Sequence, residues 1–249
     1  MKEQIYGRNA VQESIKSSAE RINKILISET IKRDKKINEI INLAKENGVL
    51  FQFVPSSKLN TLTENAPHQG IVALVSPIEY QDLDEFLLNI PQEKALVIVL
   101  DGVEDPHNLG SIVRTAVCAG ANAVIIPERR SASINSTVQK ASAGAVNHIP
   151  IIKVHNINLA LKKLKENSFW IYGAEAVGDE YYFDVEYPSH CAIVLGGENC
   201  GITKLVRDNC DYLVKIPMLS DFNSLNVANA ASILIYETVR QNINNHLKT

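Results

Sequence analysis

Three polar segments of the sequence could carry chemistry, because each directly follows a short apolar run. They are DGVEDPHNLG at 101–110, GGENCG at 196–201 and PMLSDFNSLN at 217–226. If the apolar runs are parallel strands of one sheet, these segments lie at the carboxyl ends of the strands, where α/β proteins bind their ligands. A site is therefore expected where the segments meet.

Asn108 and Arg114 are the candidates in the first segment and the helix after it. Asn108 stands where a helix begins, and its type suits helix N-capping as well as a site, so both roles stay open. Arg114 follows six residues later, which at 3.6 residues per turn places it about 120° around the helix. Its apolar neighbours predict that it faces a buried surface, where a guanidinium is suited to phosphate.

The other two segments offer a carboxylate, a hydroxyl and two glycines. Glu198 could be a surface carboxylate, and Ser224 could cap the last helix. Gly196 and Gly197 allow a ligand to approach the backbone closely, although a tight turn explains them equally well. Their spacing does not match G-x-G-x-x-G, so a nicotinamide cofactor is disfavoured.

Charge is distributed unevenly along the chain. The formal charge of −3 argues against a wholly basic nucleic-acid binder, but residues 1–75 carry +3 and the remainder −6. Any attraction to phosphate must therefore be local. The densest basic cluster is Lys32, Arg33, Lys35 and Lys36, which a solvated helix face or an RNA contact could explain.

The cysteines indicate neither a metal site nor a redox motif. Cys118, Cys191, Cys200 and Cys210 form no C-x-x-C pair, so buried free thiols are expected and no metal is predicted. The sequence has no apolar run near the roughly 20 residues that span a bilayer, and its start lacks an apolar signal core. We therefore expect a cytoplasmic globular protein.

Two α/β patterns divide the 249 residues. The first alternates helix 7–17, strand 24–29, helix 31–47, strand 49–54 and strand 70–76. A segment with two prolines follows, with a short helix expected at 83–88. This organisation predicts a small domain at 1–76, a linker at 77–94 and a larger domain at 95–249.

The larger domain alternates strictly between strands and helices. Short runs rich in Val and Ile, such as ALVIVLDG, NAVIIP and IPIIKV, are each followed by a helical pattern, and a long helix begins near Ser224. This pattern is typical of a parallel sheet covered by helices on both faces. The predicted fold class is doubly wound α/β.

The order DPHNLG…R, LGGENCGI and IPM…SLNVANA resembles the three motifs of the SpoU/TrmH family, over about residues 97–240. That resemblance implies a trefoil-knotted α/β (SPOUT) domain. It also implies transfer of a methyl group from S-adenosylmethionine to a ribose 2′-hydroxyl of RNA. A knot contradicts the usual rule that chains do not thread loops, so periodicity could not have indicated it.

The resemblance also implies site residues, position by position. As catalytic residues it implies Arg114, Asn108, Glu198, Ser224 and Asn226. As cofactor-binding residues it implies Leu195, Gly196, Gly197, Ile216, Met218, Leu225 and Asn226. The sequence departs from many relatives at Ala228 and Asn229, which affects packing or an interface and not the matched polar residues.

The first domain carries a second resemblance. GRNAVQESI near the start and HQGIVALVSP at 68–77 look like the RNA-binding extension of the ribosomal-RNA branch of the family. This resemblance implies a guanosine of 23S ribosomal RNA, in the peptidyl-transferase P-loop, as the substrate. The alternatives are a transfer-RNA ribose methyltransferase, a resistance-type ribosomal-RNA methyltransferase, and a non-catalytic RNA-binding or ribosome-assembly protein.

The last helix bears on the oligomeric state. Its sequence, SLNVANAASILIYETVRQ, carries more apolar surface than one stripe, and burial against its own sheet accounts for most of it. The resemblance implies a homodimer formed through this helix region, with polar residues of both chains near the cofactor.

Overall fold

The computed structural model describes residues 3–76, 79–198, 200–221 and 224–246. The chain forms two compact units: unit 1 is Met1–Glu79 with Ser133–His148, and unit 2 is Tyr80–Ala132 with Ile149–Thr249. Positions 77 and 78 of the predicted linker, and motif positions 199, 222 and 223, lie outside the described residues.

Unit 1 is a small α/β unit built on a mixed sheet. Its strands are β1 (Glu3–Tyr6), β2 (Ile22–Ser28), β3 (Phe51–Val54) and β4 (Ile71–Val75), in the order β1-β4-β2-β3. Its helices are α1 (Arg8–Ser18), α2 (Lys35–Glu46), α3 (Ser56–Leu62) and, later in the chain, α6 (Ser136–Ala141), with 3-10 turns at Ala19–Arg21 and Ala145–His148. β4 runs antiparallel to β1 and β2, and β2 runs parallel to β3.

Helix α2 is shorter than its sequence pattern predicts. The Asp34 side chain caps it by accepting from the Ile37 N–H at 3.1 Å. Lys32 and Arg33 therefore precede the helix, and both are exposed. A solvated helix face cannot explain these two members of the basic cluster.

The segment Ser133–His148 follows the second strand of the larger pattern, β6 (Ala123–Pro127), in sequence but belongs to unit 1. Helix α6 lies against β1, and Arg21 donates from Nη1 to Asn147 Oδ1 at 2.8 Å. Local periodicity assigned this segment to the larger domain because contacts between residues so far apart leave no local signal.

Unit 2 contains a seven-stranded sheet in which every pairing is parallel. Its strands are β5 (Ala95–Asp101), β6 (Ala123–Pro127), β7 (Ile151–Val154), β8 (Trp170–Ala174), β9 (Glu180–Tyr181), β10 (His190–Gly196) and β11 (Tyr212–Lys215). Its helices are α4 (Leu83–Leu88), α5 (Pro106–Cys118), α7 (Ile157–Glu166), α8 (Lys204–Arg207) and α9 (Val227–His246). The strand order is β7-β6-β5-β10-β8-β11-β9.

Both faces of this sheet are covered, as a doubly wound sheet requires. On one face Val97 and Val99 of β5 pack in a core cluster with Leu161 of α7. The opposite face of β5 is equally buried at Ile98 and Leu100. The predicted doubly wound α/β class is confirmed, with α5 and α9 packing on each other.

The expected burial of all four cysteines is wrong. Cys191 is buried and Cys210 half-buried, but Cys118 and Cys200 are exposed, and all four are free thiols. An apolar neighbourhood in sequence does not say which side of a helix a residue occupies, and Cys200 lies on a loop. Within the described residues, no helix is long and apolar enough to cross a membrane.

Candidate active site

A cavity of about 530 Å³ opens where β8, β10 and β11 end and α9 begins. Strand pairing brings these ends together: Gly196 of β10 lies beside Asp101 of β5, and Ala174 of β8 beside Val214 of β11. The cavity is lined by Ala174, Glu175, Ala176, Leu195, Gly196, Gly197, Glu198, Cys200, Gly201, Val214, Ile216, Met218, Ser224, Leu225, Asn226, Val227 and Ala230. Every residue expected to bind a cofactor is therefore found at one place.

Gly196, which ends β10, and Gly197, which follows it, are required by close backbone approach. A Cβ built on Gly196 would lie 1.9 Å from the carbonyl carbon of Gly201, and one on Gly197 would lie 2.1 Å from the Gly102 oxygen. The Gly197 N–H donates to the Asp101 carbonyl at 2.9 Å, which fixes this loop to the end of β5. The wall of the cavity here is backbone, packed too tightly for any side chain.

Asn108 joins the three motifs at the edge of this cavity. Its amide Nδ2 donates to Glu198 Oε1, and its Oδ1 accepts from Asn226 Nδ2 at 3.0 Å. The carboxylate, the central amide and the second amide therefore form one hydrogen-bonded chain from three separate strand ends. Asn108 is not the N-cap of α5, because Asp105 takes that role by accepting from the His107 N–H at 3.0 Å.

Asn226 links this chain to the start of α9. Its Oδ1 accepts from the backbone N–H of Ala228 at 2.9 Å and of Asn229 at 3.4 Å. Asn226 therefore caps the last helix, and the alternative in which Ser224 caps it is wrong. Ser224 is exposed and lines the cavity instead.

Arg114 lies away from this group in a single chain. It is exposed on α5 and is not among the residues that line the cavity, so the expectation of a buried environment is wrong. Its apolar neighbours Ile112, Val113 and Ala116 are fully buried, and they leave the arginine on the opposite side of the helix. Among the described residues it has no polar partner.

Glu175 is a cavity residue that the sequence analysis missed. It directly follows β8, its side chain is only 13% exposed, and its Oε1 lies 3.2 Å from Arg207 Nη2. The sequence does carry a signal for it, because Glu175 is a polar residue at the end of an apolar strand, like the polar segments at 101–110, 196–201 and 217–226. The described part of the chain contains no cluster of three His, Cys, Asp or Glu that could hold a metal.

Comparison with known proteins agrees with this architecture. The model of the SpoU rRNA Methylase family matches residues 95–236, and the model for RNA 2′-O ribose methyltransferase substrate binding matches residues 4–81. A Staphylococcus aureus (strain COL) protein named for the TrmH family of tRNA/rRNA methyltransferases is 48% identical over 239 residues, 95% of each chain. A Staphylococcus epidermidis protein of the same name is 49% identical over the same length, again 95% of each chain.

Solved structures share the fold at lower identity. The SpoU methyltransferase AviRb from Streptomyces viridochromogenes superposes with a TM-score of 0.82 and 24% identity, over 98% of this chain and 91% of its own. An AdoMet-bound rRNA methyltransferase from Sinorhizobium meliloti gives a TM-score of 0.76 and 22% identity, over 96% and 87% of the two chains.

The parallel sheet, with its cavity at the ends of β8, β10 and β11, defines a SpoU-type methyltransferase fold. The family model matches more than half of the 249 residues, and the staphylococcal relatives align along nearly all of them. The chain belongs to the SpoU/TrmH family of RNA methyltransferases.

Proposed function

We propose that this protein transfers the methyl group of S-adenosylmethionine to a ribose 2′-hydroxyl of ribosomal RNA. The observation that carries the proposal is the hydrogen-bonded chain of Glu198, Asn108 and Asn226 beside a cavity of cofactor size. The match of residues 4–81 to a substrate-binding domain for RNA 2′-O ribose methyltransferases supports the ribose as acceptor.

The cavity suits S-adenosylmethionine. Its volume of about 530 Å³ lies within the usual range for small-molecule sites. Leu195, Ile216 and Leu225 offer apolar surface to a purine, and the glycine backbone allows close approach. The carboxylate of Glu175 is available to a ribose hydroxyl or an ammonium group. When bound, this cofactor supplies a methyl group that its sulfonium already activates.

The residues of the chain then have to align the acceptor oxygen, which alone can contribute several kcal/mol. Asn108 donates to Glu198 and accepts from Asn226, so its amide has one orientation and holds the carboxylate in place. The other oxygen of Glu198 and the hydroxyl of Ser224 remain able to bind the ribose. A protonated guanidinium at Arg114 binds the adjacent phosphate and stabilises the developing alkoxide, while the proton of the 2′-hydroxyl is released to water.

Because Arg114 does not line the cavity of its own chain, we propose that a homodimer completes the site. Arg114 of α5 is exposed, as are Tyr236 and Ile243 of α9. The two helices pack together, and the hydroxyls of Thr115 and Ser232 lie 3.2 Å apart between them. A two-fold contact through this face would bring Arg114 of the partner subunit to the RNA beside each cavity.

Complementation tests the shared site. Arg114→Ala and Glu198→Gln are each expected to abolish transfer, and mixed refolded chains should recover about a quarter of wild-type activity, because half the dimers are mixed and each has one intact site. No recovery, in samples that native mass spectrometry of differently tagged chains shows to be half mixed dimers, would place both residues in one chain's site. A fully active monomer would end the dimer proposal.

The substrate is tested by mapping ribose methylation with mass spectrometry in cells with and without the gene. We expect one 2′-O-methylguanosine of the 23S peptidyl-transferase P-loop to disappear. Loss of a methylated ribose in transfer RNA instead would establish the alternative that the names of the staphylococcal relatives leave open. Methylation on a base would refute the proposed chemistry. A ribosomal-RNA substrate would also support the expectation that the protein lies in the cytoplasm.

A further inference from the structure

Unit 1 contains a second polar pocket, in addition to the cavity of unit 2. Its volume is about 600 Å³, and it lies where β2 and β3 end and β4 begins. Six polar residues line it: Arg8, Ser28, Thr30, Ser56, His68 and Gln69. The match to a substrate-binding domain assigns no role to any of them.

Three hydroxyl groups form the centre of this pocket. Ser28 Oγ lies 3.0 Å from Thr30 Oγ1 and 2.5 Å from Ser56 Oγ, and the last two lie 3.0 Å apart. Ser28 is 3% exposed, whereas Thr30 lies at the surface. Each hydroxyl offers one donor and two lone pairs. Ser28 Oγ also accepts from the Thr30 N–H at 3.2 Å, so the acceptor capacity left for a further hydroxyl donor lies on Thr30 and Ser56.

Arg8 supplies a partly free cationic group. Its Nη1 pairs with Asp34, and its Nε donates to the Gln69 carbonyl at 3.4 Å. Its Nη2 has no partner among the described residues. The guanidinium is thus held in place by two contacts, and its Nη2 N–H groups can still donate. A fixed guanidinium with free donors suits recognition of phosphate.

The loop before β4 is held in an unusual conformation around this pocket. Gln69 has a φ of 55°, in the left-handed region, and its Oε1 accepts from the Arg8 N–H at 3.0 Å. His68 accepts at Nδ1 from the Gly70 N–H at 2.9 Å and contacts Asn60 through Nε2. In this conformation the carbonyl and side-chain oxygens of Gln69 both contact Arg8, which holds the arginine beside the pocket.

The rim of the pocket is cationic. Lys32 and Arg33 lie in the exposed loop between Thr30 and the Asp34 cap, and Lys36 follows on α2, where it bonds to Asn9. Residues 29–36 carry a net charge of +2, with both acidic side chains counted. Of those two, Asp34 is already paired with Arg8.

We propose that this pocket binds a single-stranded nucleotide of the RNA substrate, with the hydroxyl triangle on its ribose 2′-hydroxyl and Arg8 on its phosphate. The inference rests on the proposed function, since it names where unit 1 contacts that RNA. Ribose recognition is the feature that lets a protein distinguish RNA from DNA. A phosphopeptide would use Arg8 but has no need of three clustered hydroxyls.

The test is RNA binding by the full chain without cofactor, measured by fluorescence anisotropy. The probes are an unstructured oligouridylate of about 20 nucleotides and its 2′-deoxy counterpart. The variant Ser28→Ala/Thr30→Val/Ser56→Ala should bind the RNA about tenfold more weakly while its affinity for the deoxy probe changes little. Ser57→Ala, an exposed neighbour of Ser56, is the matched control and should bind like wild type.

Arg8 is tested through salt dependence. Arg8→Ala should reduce the slope of log affinity against log salt by about 0.7, the value for one phosphate contact on a single strand. Asp34→Asn keeps a capping oxygen for Ile37 but frees Arg8, so it should bind RNA more tightly. Lys45→Ala, at the far end of α2, removes a charge away from the pocket and should leave the affinity unchanged.

The outcomes separate this inference from the proposed function. If the triple variant, folded and cofactor-binding, keeps the wild-type preference for RNA over DNA, the inference is wrong even if ribose methylation is found. If wild type transfers no methyl group to ribose but the variant loses the preference, the proposed function is wrong and the pocket assignment stands. Preference for a phosphopeptide over both oligonucleotides would also overturn the inference.

Discussion

Gly197→Ala is expected to disable the active site while leaving the fold intact. A Cβ at this position would lie 2.1 Å from the Gly102 carbonyl oxygen, whereas real Cβ contacts essentially never fall below 3.0 Å. The loop from Gly197 to Glu198 must therefore retreat by about 0.9 Å. A misplacement of about 1 Å can cost about 100-fold in rate, equal to about 2.7 kcal/mol of transition-state stabilisation.

The assay is cofactor titration by calorimetry together with transfer of tritiated methyl to ribosomal RNA. Gly120→Ala is the control, because its Cβ meets open space while its φ of 74° disfavours alanine by about 1–2 kcal/mol. The control should lose stability and keep methyl transfer. Gly197→Ala should keep its fold and lose methyl transfer. If Gly197→Ala stays within about threefold of wild type, the loop adapts and the steric argument is wrong.

Three further outcomes are expected. Arg114→Ala should abolish transfer and leave cofactor affinity within about twofold by calorimetry, because the arginine does not line the cavity. Asn226→Asp should keep the cap, and hence the melting temperature within a few degrees, but lose transfer, because a carboxylate cannot donate to Asn108. At pH 8 iodoacetamide should label exposed Cys200, with protection by S-adenosylmethionine. It should spare Cys191, because burial raises the pKa of the Cys191 thiol to about 12 and leaves about one thiolate in ten thousand. Labelling of Cys200 that the cofactor does not slow would place the cofactor elsewhere.

The larger sheet could be predicted from the sequence because six of its seven strands carry a strong local signal, and only β9, two exposed residues, was not predicted. β5 and β10 are continuous apolar runs buried on both faces, as a central parallel strand must be. In unit 1 the signals were weaker, and β1 and α3 were not predicted. β1 is EQIY, with two polar residues followed by Ile5 and Tyr6, so it shows neither an apolar run nor an alternation that would distinguish it from a loop.

The strand-end rule found most of the cavity but could not place Arg114. The rule depends only on where parallel strands end, so it predicts that Gly196, Glu198 and Asn226 lie at one edge of the sheet, and all three line the cavity there. The exposure of Arg114 depends on which side of α5 packs on the sheet, and the apolar stripe through Ile112 and Ala116 decides that. A helical projection centred on that stripe would have predicted it.

The choice between helix cap and site residue, which the sequence left open at Asn108 and Ser224, is decided by their neighbours. At α5 the cap is Asp105, so the Asn108 amide is free to bridge Glu198 and Asn226. At α9 the two roles fall on one residue. The Oδ1 of Asn226 caps the helix, and its Nδ2, which capping does not use, donates to Asn108. An amide has both a donor and an acceptor, so Asn226 can cap the helix and bind Asn108 at the same time. The two roles support each other, because the cap fixes the direction in which Nδ2 points.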